Sequence, residues 1–187
     1  MKILEFEKLE STQKKAKEIA KNSEPWTVVL AKEQTGGYGR KGNFWYSPRG
    51  GLYFSVILSN PHTKQICGVG AKTKIENLQI LTILAAFCVA KILKEDFKLE
   101  PFIKLPNDVY VNGKKICGIL TENLILGKEI KNSIIGIGLN TNIDQFPEDL
   151  KKIATSVKIE LNKKVENRKI LKKILNEIKE LICTIGQ

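Results

Sequence analysis

The feature that most restricts the fold is a two-residue turn, Asn112-Gly113, set between two runs of β-forming residues. Residues 108–111 precede the turn and residues 114–126 follow it. Asn-Gly readily adopts the positive φ angles of the tight turns that join antiparallel strands. The pattern therefore predicts a β-hairpin, and it requires the sheet to be antiparallel in this part of the chain.

Other segments add strands and helices to this hairpin. Apolar and β-branched runs predict strands at 2–6, 26–31, 51–58, 102–105 and 133–140. Helical spacing of apolar residues predicts a helix from Ser11-Thr12, a largely buried helix over 78–97, a short helix beginning near 154–156 and a final amphipathic helix over 170–182. Residues 60–77 are predicted to form a loop. Hairpin-joined strands with helices in blocks indicate an α+β fold with a mixed, mainly antiparallel sheet.

The composition fits one globular domain over residues 1–187, with a basic surface. The formal net charge is +11, and Arg40, Arg49 and Arg168 are the only arginines among 31 basic residues. Such a charge is compatible either with nucleic-acid binding or with a lysine-rich solvated surface. Because base-specific readers rely heavily on arginine, the solvated surface is the favoured interpretation and no DNA partner is expected.

Cysteine usage and hydropathy bear on the cellular compartment. There is no CxxC pair, and one histidine among four cysteines offers no zinc-binding cluster. Cys88 and Cys183 lie in helical apolar patterns and are predicted to be buried thiols, which fits a reducing cytosol. The N-terminus lacks an apolar signal region, and the apolar stretch over 80–92 is too short to span a bilayer. A cytoplasmic protein without a membrane partner is therefore predicted.

The segment 34–42 is rich in glycine and contains two cations near its end, Arg40 and Lys41. Glycine lets another group approach the backbone closely, and successive N–H groups in such a loop form an anion-binding concavity. Arginine adds a planar set of donors for carboxylate or phosphate. This glycine loop is therefore either a flap over an anionic, phosphate-bearing ligand or a basic surface turn.

Three further stretches carry polar chemistry. Residues 104–108, Lys-Leu-Pro-Asn-Asp, place a cation, an amide and a carboxylate at a strand break. Residues 115–122 alternate, which predicts that Lys115, Cys117 and Ile119 share one strand face. Residues 136–140 expose backbone at two glycines and end in an amide.

Together with the glycine loop, these stretches resemble the catalytic domain of the biotin protein ligases. The family pattern is a Gly/Arg loop preceded by Gln, then Lys-Trp-Pro-Asn-Asp, Lys-x-x-Gly-Ile-Leu-x-Glu and Gly-x-Gly-x-Asn, and the match runs over about 11–140. The resemblance implies a class II synthetase-like fold and a two-step reaction. Biotin and ATP with Mg²⁺ would form biotinyl-5′-AMP, and a lysine of the biotin carboxyl carrier domain of acetyl-CoA carboxylase would then accept the biotin.

The resemblance also implies roles for individual residues. Lys115 would be the catalytic cation at the biotin carboxyl and the α-phosphate, and Arg40 would retain the adenylate. The biotin site would further contain Ser11, Thr12, Gln34, Gly37, Gly39, Gly118, Leu120, Gly136 and Gly138. The nucleotide would contact Trp45, Lys104, Asn107, Asp108 and Asn140, with Asp108 also a magnesium ligand. Core packing of Trp45, a turn cap at Asp108 and a surface position for Lys115 are the structural alternatives.

The chain departs from the family pattern at several positions. Tyr38 and Asn43 stand where the family loop has basic residues, Leu105 replaces a tryptophan and Gln13 replaces an asparagine. The loop therefore has fewer cations, and looser retention of the adenylate is expected. We also expect no helix-turn-helix domain before Ser11 and no small β-barrel after the last helix.

Two other functions remain open from the sequence. A lipoate or octanoyl transferase would share the fold and a related lysine motif, whereas the glycine loop and the 104–108 motif favour biotin. A nucleic-acid-binding module is suggested by the net charge alone. Both a monomer and a homodimer are compatible with the sequence.

Overall fold

The computed structural model describes residues 1–59, 78–127 and 129–185. The described strands are β1 (Ile3–Phe6), β2 (Thr27–Ala31), β3 (Leu52–Ser59), β4 (Pro101–Lys104), β5 (Asp108–Val111), β6 (Lys114–Leu126) and β7 (Glu129–Leu139). The described helices are α1 (Thr12–Ile19), α2 (Leu78–Phe97), α3 (Glu148–Lys151), α4 (Val157–Leu161) and α5 (Asn167–Ile185). Short 3₁₀ turns occur at Ala20–Asn22 and Arg40–Gly42.

The seven strands form one sheet in the order β1-β2-β3-β7-β6-β5-β4. β1 pairs with β2 in parallel, and every other pair of neighbours is antiparallel. The predicted α+β class with a mixed, mainly antiparallel sheet is confirmed. At the predicted hairpin, Asn112 and Gly113 have φ angles of 49° and 75°, which suit the tight turn between β5 and β6.

Most element predictions from the sequence are also confirmed. The buried helix predicted over 78–97 is α2, and the final amphipathic helix is α5, which begins at Asn167. Ser156 caps α4 by accepting a hydrogen bond from the Ile159 amide at 3.1 Å. β7 begins at Glu129, earlier than predicted, because its first residues pair with the end of β6. The loop predicted at 60–77 lies outside the described residues.

Helices cover the two faces of the sheet unequally. On one face α2 and α5 bury the main core, which is built from apolar side chains of β2, β3, β5, β6 and β7. On the other face α1 packs on β2, β3 and β7 through a smaller cluster that includes Ala16, Val29 and Ile134. α1 has only eight residues, so it covers one part of that face. A cavity lies beside α1 on the rest of this face.

The cysteine prediction is only partly correct. Cys88 and Cys117 are buried free thiols. Cys183 is half-buried near the end of α5 and is disulfide-bonded, so the prediction of a buried thiol there is wrong. Within the described ranges we find no helix with the length and apolar character needed to cross a membrane.

Candidate active site

A cavity of about 330 Å³ opens on the α1 face of the sheet. The glycine loop forms one wall, the start of α1 forms the second, and strands β6 and β7 form the floor. Its lining includes most of the predicted site residues: Ser11, Thr12, Gln34, Gly39, Arg40, Trp45, Asn107, Asp108, Lys115, Gly118, Leu120, Gly136 and Gly138. Four motifs that are distant in the sequence therefore surround one space.

The end of the cavity near α1 is polar and buried. Ser11 caps the helix by accepting a hydrogen bond from the Lys14 amide at 3.4 Å. The Thr12 amide donates to Oε1 of Gln34 at 2.8 Å, and Nε2 of Gln34 donates to the Ser47 hydroxyl at 2.9 Å. These hydrogen bonds fix the orientations of the Ser11 hydroxyl and the Gln34 side chain at this end of the cavity.

Two residues that the sequence did not assign to the site complete this polar end. Ser55, a fully buried residue of β3, donates to Oε1 of Gln13 at 2.9 Å and shares a 3.0 Å hydrogen bond with the Thr12 hydroxyl. Nε2 of Gln13 donates to the Ile134 carbonyl at 3.3 Å. A Cβ on Gly136 would lie 2.5 Å from Oε1 of Gln13, so the glycine makes room for this side chain. The sequence carried no distinctive signal for Ser55, which is one serine within the apolar run 51–58.

Trp45 lies across the middle of the cavity floor. A Cβ added to Gly138 would lie 2.3 Å from the indole Nε1, and one added to Gly118 would lie 3.2 Å from Cζ3. Nζ of Lys115 lies 5.3 Å from the centroid of the indole ring, within cation–π distance. The two glycines thus accept the indole flat against the sheet, and the indole in turn flanks the lysine.

A line of hydrogen bonds connects the charged residues at the opposite end. Nζ of Lys115 lies 2.7 Å from Oδ1 of Asp108, with the two side chains 28% and 20% exposed. Nδ2 of Asn107 donates to the same carboxylate oxygen at 2.9 Å. Nη1 of Arg40 donates to Oδ1 of Asn107 at 3.2 Å. Arginine, amide, carboxylate and ammonium therefore form a continuous polar set at this end of the cavity.

A β-bulge decides which way Lys115 faces. Val109 pairs with Cys117 but Tyr110 pairs with Lys115, so β6 has one extra residue between these two pairs. Lys115 therefore lines the cavity on the same side as Gly118, whereas Cys117 is fully buried in the main core. The prediction that Lys115 and Cys117 share a face is wrong, because simple alternation does not hold across a bulge.

The glycine loop is attached to its own side of the cavity by backbone contacts. The Gly36 amide donates to the Glu10 carbonyl at 2.8 Å, and the Trp45 amide donates to the Gly37 carbonyl at 2.9 Å. Gly37 does not line the cavity. A Cβ there would lie 2.6 Å from Oγ of Ser47, so this glycine is needed for the loop to pack on the segment that follows it.

A second cavity, of about 360 Å³, adjoins the first. Both cavities are lined by Phe44, Trp45 and Lys115, and the second adds mainly apolar residues: Tyr46, Tyr110, Gly113, Asn140, Phe146, Leu150, Ile153 and Ala154. Among the described residues, Nε1 of Trp45 and Oδ1 of Asn140 are buried polar atoms without a hydrogen-bond partner. The Asn140 amide nitrogen is already used, donating to the Thr155 carbonyl at 3.0 Å.

Besides Gly37, a second predicted site residue, Lys104, lines neither cavity. Lys104, on the edge strand β4, has its Nζ 5.7 Å from the ring centroid of Tyr110. Its predicted contact with phosphate stays a prediction, as do the roles assigned to the residues that line the cavities. Ser55 and Phe44, by contrast, line the first cavity without having been predicted.

Together, the fold and the paired cavities define an α+β domain in which a glycine loop and one lysine line the same cavity. The chain belongs to the biotin/lipoate A/B protein ligase family, whose model matches residues 5–140. The match covers the glycine loop and all three further motifs.

Curated relatives are similar to most of this chain. The bifunctional ligase/repressor BirA of Bacillus subtilis is 37% identical over 171 residues, covering 89% of this chain and 49% of the relative. The biotin–[acetyl-CoA-carboxylase] ligase of Paracoccus denitrificans is 31% identical over 131 residues, covering 70% of this chain and 51% of the relative. The chain spans about half the length of these curated relatives.

Solved structures show the same fold. The biotin protein ligase from Aquifex aeolicus in complex with biotin and ATP superimposes with a TM-score of 0.83 at 32% identity, covering 99% of this chain and 72% of that one. The Leishmania major biotin protein ligase in complex with biotinyl-5-AMP gives a TM-score of 0.77 at 25% identity, covering 98% and 75% of the two chains.

Proposed function

We propose that this chain is the catalytic domain of an ATP-dependent biotin protein ligase. It forms biotinyl-5′-AMP from biotin and ATP and then transfers the biotin to a lysine of a carrier protein. The observation that carries the proposal is that two adjoining cavities share Lys115 and Trp45. A bisubstrate reaction needs this arrangement, because each reactant has its own space and the reacting atoms meet at the boundary.

The first cavity suits biotin. Its buried end presents Ser11, Thr12 and Gln34 to a ureido group, and Phe44 and Leu120 add apolar surface for a ring and chain. The carboxylate of a ligand bound this way points toward Lys115 and Arg40. The relatives named for biotin support this choice of ligand.

The second cavity suits adenine. Its walls are mainly apolar, and Oδ1 of Asn140 is an unused acceptor that matches the exocyclic amine of the base. Trp45 separates the two cavities, so it contacts both ligands in the proposed complex. An α-phosphate between the two sites would lie at the Lys115 ammonium.

The chemistry of the first step follows from these positions. A carboxylate oxygen of biotin attacks the α-phosphorus of ATP, and the bond to pyrophosphate breaks. Both reactants are anions and negative charge grows on the α-phosphate, so cations aimed at this point lower the barrier. Lys115 supplies that charge, and its 2.7 Å contact with Asp108 sets the direction of the ammonium.

The residues present fit a magnesium ion that arrives with the nucleotide. Magnesium is commonly bound by one or two carboxylates together with substrate phosphates. Asp108 is the candidate carboxylate at the cavity, and the part of the chain that the structure describes contains no cluster of three acidic, histidine or cysteine ligands. Asp108 would hold the ion, which supplies positive charge to the leaving pyrophosphate.

The second step transfers the acyl group to protein. A lysine amine of a biotin carboxyl carrier domain attacks the acyl carbon of the adenylate, and AMP leaves. The carrier of acetyl-CoA carboxylase is the proposed partner, in keeping with the name of the Paracoccus denitrificans relative. The cytoplasm is the proposed compartment. We assign these activities to one catalytic domain over 1–187, because the described strands form a single sheet.

A reconstituted assay tests the proposal. The chain is incubated with biotin, ATP, Mg²⁺ and a purified carrier domain, and the carrier is analysed by mass spectrometry. We expect one biotin per carrier, only when ATP is present, with biotinyl-AMP detectable when the carrier is left out. No adenylate and no labelled carrier would refute the assignment.

Ligand-dependent thermal shift separates biotin from lipoate or octanoate. Ligands that bind the native state raise its melting temperature in proportion to the logarithm of their concentration over Kd. Biotin with ATP should therefore stabilise the protein strongly, and lipoate with ATP should not. A larger shift with lipoate would favour the alternative transferase function.

A further inference from the structure

Three side chains from distant segments meet beside the glycine loop. Nζ of Lys17, on α1, lies 2.7 Å from Oε1 of Glu122, on β6, and the two side chains are 32% and 29% exposed. The Tyr38 hydroxyl, from the middle of the loop, donates to Oε2 of Glu122 at 3.2 Å and accepts from Nζ of Lys17 at 3.3 Å. The ammonium also lies 5.8 Å from the centroid of the tyrosine ring.

The protonation states of this cluster suit a stable contact. Burial opposes the charge on Lys17, but its hydrogen bonds to Glu122 and Tyr38 outweigh that effect and raise the pKa of Lys17. Burial raises the pKa of Tyr38, so its hydroxyl remains a donor at neutral pH. Half-buried, charge-assisted hydrogen bonds of this kind are stronger than exposed ones.

The cluster attaches the loop to the opposite part of the sheet, in addition to the hydrogen bond from Arg40 to Asn107. The base of the loop is attached on its own side, for example by the Gly36 amide to the Glu10 carbonyl. Tyr38 reaches Glu122 on a different part of the sheet, and Tyr38, Arg40 and Lys41 all line the first cavity. Contacts that fix Tyr38 therefore also fix the wall of the first cavity that the glycine loop forms.

We propose that Lys17 is a positioning residue that, through Glu122 and Tyr38, keeps the glycine loop closed over the first cavity and slows release of the ligand beneath it. Lys17 does not line the cavity, and so it acts through the loop. The identity of that ligand rests on the proposed function, whereas the effect on the loop does not.

Limited proteolysis tests the effect on the loop without any ligand. Trypsin cleaves after Arg40 and Lys41, both in the loop, and the rate of cleavage reports how often the loop opens. We expect Lys17→Gln to raise cleavage at these two bonds about fivefold, with Lys17→Arg restoring the original rate. Products are identified by mass, since the substitution also removes the cleavage site at 17.

Lys15→Gln is the matched control. Lys15 lies on the same helix and pairs with Glu18 at 2.8 Å, away from the loop, so its loss should leave cleavage unchanged. Equal cleavage rates in Lys17→Gln and the unsubstituted protein would overturn the proposal. The melting temperature of each variant is measured so that global unfolding is not mistaken for loop opening.

Ligand release provides the second test. Dissociation of biotinyl-AMP, followed by competition with excess unlabelled ligand, should be about fivefold faster in Lys17→Gln, with a smaller change in the rate of adenylate formation. Glu122→Gln should have the same effect, and the double variant should add nothing further. If the two substitutions had additive effects on the dissociation rate, Lys17 and Glu122 would not act together and the proposal would be refuted. Faster proteolysis in a protein that binds no biotin would support the cluster and refute the proposed function.

Discussion

Trp45 and Gly138 are packed so closely that a methyl group on the glycine would lie 2.3 Å from the indole Nε1. This contact sets the position of the indole between the two cavities, and Lys115 lies over the same ring at 5.3 Å. The binding site thus depends on the absence of a side chain at one position of β7.

Gly138→Ala should displace Trp45 and weaken ligand binding. A clash of this size in a packed site costs about 1–3 kcal/mol, so we expect a lower melting temperature and about 5- to 150-fold weaker binding of biotin. Isothermal titration calorimetry measures the binding. Gly118→Ala is the graded comparison, because its added methyl would lie 3.2 Å from the indole and should have a smaller effect. Equal affinities for biotin in both variants would contradict the claim that close packing on Gly138 positions the Trp45 indole.

Lys115→Ala should abolish most adenylate synthesis while leaving the fold intact. Removal of one preorganised cation at a developing negative charge commonly costs about 10²–10³-fold in rate. Pyrophosphate release with biotin and ATP measures the effect. Lys114→Ala is the matched control, since Lys114 is the neighbouring lysine, does not line the cavity and donates to the Lys151 carbonyl at 3.3 Å. Near-normal turnover in Lys115→Ala would refute its catalytic role.

Arg40→Gly should release activated biotin into solution. Arg40 connects the loop to Asn107 through a 3.2 Å hydrogen bond, and without it the adenylate loses a cationic contact and a closed wall. We expect biotinylation of bystander proteins such as serum albumin, measured by streptavidin blotting. Arg49→Gly, which changes an exposed arginine outside the first cavity, should keep labelling confined to the carrier. Labelling confined to the carrier in both variants would contradict the retention role.

Cys88 should resist alkylation in the native protein. Burial raises the pKa of its thiol to about 12, from a reference value of 9.0, so almost no thiolate is present at pH 8. Iodoacetamide labelling with peptide mass mapping should modify Cys88 only in denaturant. Rapid labelling under native conditions would show that the thiol is accessible.

The same shift predicts how stability depends on pH. The folded-state pKa of Cys88 is raised, so the neutral thiol favours the folded state. Its contribution to stability is complete below pH 9 and is lost as the pH rises toward 12. By pH 10.5 the loss should reach about 2 kcal/mol. The free energy of unfolding, measured in urea, should therefore fall more between pH 8.5 and 10.5 in the unsubstituted protein than in Cys88→Ala. Parallel pH dependences would contradict the raised pKa.

The local patterns of the sequence predicted much of the fold. The Asn112-Gly113 turn gave the β5–β6 hairpin, and the apolar spacing over 78–97 gave α2 with both of its ends. These predictions succeed because a tight turn and a helical stripe depend on neighbouring residues. The prediction of the strand face of Lys115 was wrong because the bulge depends on pairing with β5, a separate strand, and not on neighbouring residues.

For the binding site, the order of the motifs identified the glycine loop, Lys115 and the glycines of β7. It did not reveal Ser55 or Gln13, because a buried serine in a strand has no distinctive pattern until its partners are known. Nor did it reveal the Lys17–Glu122 pair, whose members are 105 residues apart.

By itself, then, the sequence determined the family, the hairpin and the chemical groups available for binding two anions. The tertiary structure alone decided which of those groups meet: the indole on Gly138, the ammonium at Asp108 and the lysine of α1 beside the loop. The physical reason is that local patterns set backbone conformation, whereas contacts across the sheet depend on strand register and on how helices pack against it.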